Sequence, residues 1–176
     1  MRILTKHVGV IIDEGFHDLE LWVPYYVMKA NDISFDVLAW ENRDYKGQFG
    51  IDVIRPSRLL HELNKDTTKE YNLIFLPGAK SPENLLKNPK TIEVITHLYE
   101  TGSTFATICH APLVLGEAGL LKGKKITGHH SIKKEVDKYG AIFLDQPVVK
   151  TSERIITART HFDLGTFLPE LISLAQ

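Results

Sequence analysis

The sequence predicts an α/β fold built around a mainly parallel β-sheet. Short apolar runs alternate with segments whose apolar residues recur at helical spacing, which is typical of parallel strands joined by crossover helices. The first run, residues 7–12, is continuously apolar after its first residue, as expected of a strand covered on both faces. No repeat, low-complexity tract or linker interrupts the pattern. The 176 residues, 43% of them hydrophobic, suffice for one core, so a single domain over residues 1–176 is predicted.

The order of the other elements follows from the same patterning. Apolar residues recur at helical spacing between residues 19 and 27, where Pro24 either kinks the helix or restarts it. A long helix is predicted over residues 82–100, and a last amphipathic helix begins near Asp163. Further strands are predicted at residues 33–40, 48–54 (as an edge ribbon), 71–76, 104–108, 125–126, 141–144, 148–149 and 155–157.

The composition excludes several classes of protein. Lys and Arg total 21 against 22 Asp and Glu, so there is no basic surplus, and we expect neither nucleic acid nor a membrane surface as a partner. The apolar stretch 8–12 ends at two acidic residues, too short for a signal peptide or a membrane span. Cys109 is the only cysteine, which fits a reducing, cytoplasmic setting. Glycine-rich phosphate-binding motifs are missing, and we expect no cofactor.

Cys109 lies where a strand-like apolar stretch turns into a helix-like one. At a strand–turn–helix corner the side chain at the apex projects clear of the sheet, and the first amides of the following helix point toward it. These amides and the helix dipole favour a thiolate, so we expect the pKa of Cys109 to be lowered. Cys109 is therefore a candidate nucleophile; the alternative is a buried, inert cysteine that packs as a small hydrophobic residue.

Three predicted strand ends carry residues suited to a binding site, at residues 13–15, 77–79 and 109–110. In open parallel sheets, ligands bind outside the carboxyl ends of the strands, so we expect these segments to line one cleft. The backbone N–H groups of Gly78, Ala79 and His110 would then hold an oxyanion or an oxidised sulfur. Taken alone, the Pro-Gly pair is also consistent with an ordinary turn.

Three segments carry a resemblance to a known family. ATICHAP (residues 106–112), LPGAKSPE (76–83) and GFHDLEL (15–21) resemble the ThiJ/PfpI superfamily of intracellular protease I, deglycases and glyoxalases, and the similarity covers nearly the whole chain. The resemblance implies a flavodoxin-like three-layer sandwich, related to the class I glutamine amidotransferases, with the cysteine on a nucleophile elbow. A histidine directly after the cysteine is the PfpI-like form of that elbow.

The resemblance implies a role for each matching residue. Cys109 matches the nucleophile, His110 the catalytic histidine, and Glu83 an acid that completes the triad from a neighbouring subunit, which implies a homodimer or a higher homo-oligomer. Glu20 matches the acid that hydrogen-bonds the sulfur; it can donate to a thiolate if burial raises its pKa. His129 aligns with a residue that lines the pocket. From the residues alone, both acids also fit the first turn of a helix.

Two residues depart from the family pattern. Ala79 replaces a glycine and tolerates a positive φ poorly, so we expect a differently shaped oxyanion-binding turn. His17 replaces an acid and would bring a base or a cation into the cleft, or else lie on the surface. The run 160–163 only faintly resembles the His-x-Glu of an amidotransferase triad. No zinc motif supports ligation by His17, Cys109 and the histidines at 129–130, so no metal site is predicted.

The resulting hypothesis is a cysteine-dependent enzyme acting on a small-molecule or peptide substrate. Cys109 adds to an electrophilic carbonyl, the three amides hold the oxyanion, and His110 and Glu20 move protons. Attack by water then hydrolyses a peptide or a glycated amine, whereas proton migration in a bound 2-oxoaldehyde gives a hydroxy acid, as in glyoxalases. The alternatives are a redox sensor or stress chaperone, in which Glu20 stabilises a Cys109 sulfinate, and an amidotransferase-like hydrolase.

Overall fold

The secondary structure of the computed structural model is described for residues 7–176. The strands are β1 (His7–Ile11), β2 (Ser34–Ala39), β3 (Tyr45–Lys46), β4 (Val53–Ile54), β5 (Arg58–Leu59), β6 (Leu73–Leu76), β7 (Thr104–Ile108), β8 (Lys125–Ile126), β9 (Ile142–Phe143), β10 (Val148–Ser152) and β11 (Ile155–Ala158). The α-helices are α1 (Asp18–Ala30), α2 (Ser81–Leu86), α3 (Lys90–Glu100), α4 (Pro112–Glu117), α5 (Lys133–Lys138) and α6 (Leu164–Ala175). Short 3-10 helices cover Leu60–Glu62, Thr67–Glu70, His130–Ile132 and His161–Asp163.

Seven strands form the central sheet, in the order β10-β11-β7-β6-β1-β2-β5. Its pairings are parallel except β10 with β11, so the prediction of a mainly parallel sheet is confirmed. The central strand β6 is fully buried along its length because helices cover both of its faces. The short strands β3 and β4 pair as an antiparallel hairpin, and β8 pairs with β9.

Two apolar clusters, one on each face of the sheet, complete a three-layer sandwich. One cluster joins the sheet to α1 and α6, through residues such as Met28 and Phe167. The other joins it to the helices between α2 and α5, through residues such as Ile95 and Val136. This is the layered α/β architecture that the sequence predicts. It brings the carboxyl ends of β1, β6, β7 and β11 to one edge of the sheet.

Two predicted elements differ in the structure. The helix expected over residues 82–100 is two helices, because Pro89 lacks an N–H and disfavours helical backbone at Asn88. The Asn88 side chain also accepts a hydrogen bond from the Lys90 N–H at 3.1 Å, at the start of α3. The ribbon expected over residues 48–54 begins earlier, at β3, and residues 47–52 form the loop of the hairpin. None of the helices within residues 7–176 has the length and apolar character of a membrane span.

Candidate active site

Cys109 occupies the apex of the predicted elbow. It follows β7 directly, and its φ of 65° lies in the left-handed region that non-glycine residues rarely adopt. Two hydrogen bonds hold this backbone: the Cys109 N–H donates to the Ala158 carbonyl at 3.0 Å, and the His129 N–H donates to the Cys109 carbonyl at 2.9 Å. The strained conformation aims the sulfur away from the sheet. There the backbone N–H groups of Ala79 and His110 face the sulfur and favour its charged form.

The turn after β6 fits closely around the nucleophile. A Cβ on Gly78 would lie 2.5 Å from Cys109 Cβ and 2.6 Å from a carboxylate oxygen of Glu20, so only glycine fits there. Ala79 adopts a φ of 58°, the positive value that the sequence analysis treats as unfavourable for alanine. An antiparallel bridge between Ala79 and Phe16 holds the turn against the start of α1. This support keeps the Ala79 N–H directed at the sulfur.

The structure differs from the prediction for the Gly78 amide. The Gly78 N–H donates to Glu20 Oε2 at 2.8 Å, so it is not free to bind an oxyanion. The sequence indicates the glycine turn but not the side chain that its first amide meets, because Glu20 comes from α1. The N–H groups that remain near the sulfur are those of Ala79 and His110.

Glu20 and Cys109 form a buried pair of acids. Burial raises the pKa of Glu20 to about 7, although the Gly78 N–H, Cys109 and the His161 N–H partly oppose this effect. Burial, followed by the charge of Glu20, raises the pKa of Cys109 to about 12. The prediction of a lowered thiol pKa is therefore wrong. It omitted these two effects, and it overvalued the dipole of α4, a six-residue helix that begins only at Pro112.

Because the two groups interact strongly, their protons leave in two steps that belong to the pair. The first step lies near the pKa of about 7 of Glu20, and the second near the pKa of about 12 of Cys109. At neutral pH the pair thus passes to a state with one proton and one negative charge. Four backbone N–H groups face that charge, from Gly78 and His161 on the carboxylate and from Ala79 and His110 on the sulfur.

Glu83 lies beside His110 of its own chain, with Oε1 at 3.4 Å from Nδ1. The role that the sequence analysis gives this acid in the site of a neighbouring subunit stays a prediction, because the structure contains a single chain. Glu83 is in the first turn of α2, directly after the Gly78 turn, and α2 packs against the α4 side of the elbow. An acid therefore reaches His110 without a second subunit.

A serine links two of the predicted histidines. Nε2 of His110 lies 3.0 Å from Ser131 Oγ, which lies 2.8 Å from Nδ1 of His129. His129 is at the cavity, as predicted, and burial lowers its pKa, with smaller contributions from neighbouring histidines. Ser131 was missed because a serine in a short 3-10 turn carries no sequence signal of its own.

A cavity of about 370 Å³ opens over the sulfur. Its lining residues come from six segments of the chain: His17, Gln48, Phe49, Ala79, Cys109, His110, His129, Thr160, His161 and Phe162. Of the three strand ends that the sequence predicts to line one cleft, segments 77–79 and 109–110 therefore do so. Of the segment 13–15 no residue lines the cavity; His17, two residues beyond it, does so instead.

His17 lies inside the site rather than on the surface. It is 7% exposed, and its ring stacks on His161 with centroids 4.3 Å apart. Burial, with a contribution from His161, lowers the pKa of His17 to about 4. The imidazole is therefore neutral at physiological pH. Of the two functions considered for His17, it can act as a base but does not bring a cation into the cleft.

A loop wall of the cavity depends on a residue that the sequence analysis did not single out. The buried Asp18 carboxylate accepts the Phe49 N–H at 2.7 Å and the Ile51 N–H at 2.8 Å. This holds the Phe49 ring edge-on to His17, with centroids 5.2 Å apart. From the sequence, Asp18 has only the signal of an acid in the first turn of a helix.

The faint triad motif is not assembled as one. Asp163 pairs with Arg159 through two contacts of 2.9 and 3.0 Å, so its carboxylate is engaged away from His161. His161 nevertheless belongs to the site, where it lies at the cavity beside His17. His161 reaches the cavity because β11 lies beside β7, a pairing that the residue spacing does not reveal.

The chain is similar in sequence and in fold to known proteins. Deglycase PfpI of Pyrococcus furiosus is 30% identical over 161 residues, which cover 92% of this chain and 94% of the relative. Protein/nucleic acid deglycase 2 of Escherichia coli is 28% identical over 172 residues, or 97% of this chain and 98% of the relative. The structure of Schizosaccharomyces pombe DJ-1 has a TM-score of 0.83 at 25% identity, and the match covers 95% of this chain and 90% of that one. The model of the DJ-1/PfpI family matches residues 6–174, and the chain belongs to that family.

Proposed function

We propose that the protein is a cysteine-dependent enzyme that converts small 2-oxoaldehydes, or their adducts with amines, into 2-hydroxy acids. The observation that carries the proposal is the surroundings of the sulfur: Cys109 Sγ meets two backbone N–H groups and the Glu20 carboxyl at the base of a cavity. Relatives named deglycases support the choice of substrate class.

The buried pair supplies the first proton transfer. Sγ bonds to the aldehyde carbon of the substrate, and the proton of the pair is on Glu20 once this bond forms. The same state is reached whether the pair starts as thiol and carboxylate or as thiolate and carboxylic acid. The carbonyl oxygen gains negative charge, and the N–H groups of Ala79 and His110 are the donors available on that side of the site.

The second transfer moves a hydrogen within the adduct. His110 takes the proton from the former aldehyde carbon through Nδ1, which makes no hydrogen bond of its own, and returns it to the neighbouring carbon, while Ser131 Oγ holds the ring at Nε2. The product on the enzyme is a thioester of the hydroxy acid. Water cleaves it and restores the Cys109 thiol, so one 2-oxoaldehyde and one water give one 2-hydroxy acid. An amine adduct consumes one water and releases the amine as well.

The size of the cavity favours a small substrate. Its volume of about 370 Å³ is near the lower end of the roughly 300–1,000 Å³ typical of ligand pockets. A three-carbon 2-oxoaldehyde fits this space, and the exposed side chains of Phe49 and Phe162 at its mouth leave room for an attached amine to remain outside.

The test is a product assay with the purified chain. Methylglyoxal, its adduct with an acetylated lysine, and a panel of peptides are supplied separately in chelator-treated buffer, and the hydroxy acid or the new amine is measured. Substrate loss is not the readout, because thiols and amines consume methylglyoxal without turnover. We expect hydroxy acid from the wild type and none above background from Cys109→Ala. Equal product from both proteins would refute the proposal, and peptide cleavage alone would assign hydrolase activity instead.

One observation favours a second function, the sensing of peroxide. The N–H groups and the Glu20 carboxyl around Sγ also suit a sulfinate anion, which forms when the thiol consumes two peroxides and releases two waters. Mild peroxide followed by mass spectrometry should then show Cys109 stopping two oxygens above the thiol. In Glu20→Leu we expect oxidation to continue to the sulfonate. A variant that stops at the same state would remove Glu20 from this function.

A further inference from the structure

We propose that His17, Glu20 and His161 form a binding site for a divalent cation of the zinc class, beside the nucleophile. One ligand atom from each residue lies within 4.8 Å of the others. The sequence analysis predicts no metal site, because these residues belong to no spaced motif: two are at the start of α1 and the third follows β11. Only the fold brings them together.

Local geometry places all three side chains on one spot. His17 immediately precedes α1 and Glu20 is three residues later, a spacing that puts both on the same face of the helix. His161 stacks on His17 with an interplanar angle of 25°. In a tetrahedral zinc site, bond lengths of about 2.0–2.1 Å bring ligand atoms to roughly 3.4 Å from one another. The ligand atoms of the cluster, now within 4.8 Å of one another, reach that separation if the side chains move inward by about an ångström.

Two buried polar atoms of the cluster lack a hydrogen-bond partner. His17 Nδ1 and Glu20 Oε1 are inaccessible to solvent and make no well-aligned hydrogen bond, an arrangement that is uncommon in folded proteins. The other carboxylate oxygen of Glu20 is fixed by the Gly78 N–H at 2.8 Å. This contact orients the carboxylate, as hydrogen bonds to metal ligands generally do. A cation would give the unpartnered atoms a bond.

The donor set selects the type of ion. Two imidazole nitrogens and one carboxylate oxygen suit zinc and its transition-metal neighbours, whereas magnesium and calcium prefer oxygen ligands throughout. Three protein ligands leave a fourth tetrahedral position open. His17 and His161 both line the cavity over Cys109, so the open position lies toward the space that the substrate occupies.

Occupancy of this site has a consequence for the nucleophile, which rests on the proposed function. His17, His161 and Cys109 line the same cavity, so a cation held at the cluster occupies space that the substrate needs beside the sulfur. The cation is therefore a reversible inhibitor of addition to the carbonyl.

The binding test uses cobalt as a visible probe and needs no substrate. The full chain is stripped with a chelator and titrated with Co²⁺, followed by displacement with Zn²⁺. We expect one Co²⁺ per chain with the strong visible absorption of four-coordinate cobalt. His161→Gln and His17→Gln should each weaken binding about tenfold or more, with folding checked by circular dichroism. The matched controls are His129→Gln and His130→Gln, a second pair of adjacent imidazoles with ring centroids 4.2 Å apart, which should leave affinity unchanged.

The outcomes separate the site from the proposed function. Equal affinity in His161→Gln and wild type, or loss of binding in the His129→Gln control, would overturn the assignment. Retained binding in a chain that converts no 2-oxoaldehyde would support the site while refuting the enzyme. Turnover that continues at saturating Zn²⁺ would overturn the inhibitory role.

Discussion

Replacing Glu20 with glutamine tests whether the reactivity of Cys109 depends on a shared proton. Glutamine keeps the size of the side chain, and its carbonyl oxygen can still accept the Gly78 N–H that Glu20 Oε2 accepts at 2.8 Å. It cannot accept the thiol proton. In the wild type, the pair first ionises near the pKa of about 7 of Glu20, so at pH 7 about half of the molecules carry a Glu20 carboxylate that can take the thiol proton.

In the variant, ionisation falls to the thiol alone. The pKa of Cys109 is then still raised by burial, the largest of its shifts, and lowered by the Ala79 and His110 N–H groups. We expect a pKa no lower than about 9, the ordinary value for a cysteine. At pH 7, two units below that value, about 1% of the thiol is ionised, since each pKa unit changes the ionised fraction about tenfold. This fraction is roughly fifty-fold below the ionised fraction of the wild-type pair.

The assay is the rate of iodoacetamide alkylation of Cys109 between pH 5 and 10, in chelator-treated buffer. We expect a midpoint near pH 7 for the wild type and near or above pH 9 for Glu20→Gln. Midpoints below 7 in both proteins would mean that the elbow amides alone stabilise the thiolate. Midpoints near 9 in both would mean that Glu20 takes no part in the ionisation.

Three further predictions concern the packing, the stability and the assembly of the site. Gly78→Ala should lower stability by about 1–3 kcal/mol, because its Cβ would overlap Cys109 and Glu20; in chemical denaturation the control Gly165→Ala, with open space around it in α6, should be neutral or stabilising. Between pH 4.5 and about 7 the folded chain keeps a proton on Glu20 that the unfolded chain has lost, because the pKa of Glu20 is raised. Stability should therefore fall by about 3 kcal/mol as the pH rises through this window, and Glu20→Gln should lack this decline. Mixing Glu83→Gln with Cys109→Ala should not restore turnover, since Glu83 lies beside His110 of its own chain; recovery of activity on mixing would favour the acid acting across subunits.

The sequence was sufficient for the sheet and the elbow because both have local signals. Continuous apolar runs identify buried parallel strands, and the change from strand to helix at Cys109 identifies the apex. The sequence analysis missed the division between α2 and α3 because the apolar spacing on either side of Asn88 and Pro89 fits one continuous helix. It gave this spacing more weight than the helix-breaking effect of Pro89. The fold class therefore survives errors in individual elements.

The site was only partly predictable, since its remaining properties depend on contacts between distant segments. The pKa of Cys109 is set by burial and by Glu20, neither of which the residues around the elbow reveal. His161 enters the cavity only because β11 lies beside β7. Glu83 lies beside His110 because of how α2 leaves the Gly78 turn, which the residue spacing does not reveal.

The same buried charge explains why a proton and a cation compete at this site. Burying a thiolate or a carboxylate without compensation is costly, and the four N–H groups that face the pair only partly offset the cost. A proton shared by Glu20 and Cys109 removes one of the two charges, and this leaves the nucleophile ready to add to a carbonyl. A cation held by Glu20, His17 and His161 would bring positive charge to the same carboxylate and would occupy the cavity beside the thiol. The proposed cation site and the proposed nucleophile therefore share Glu20.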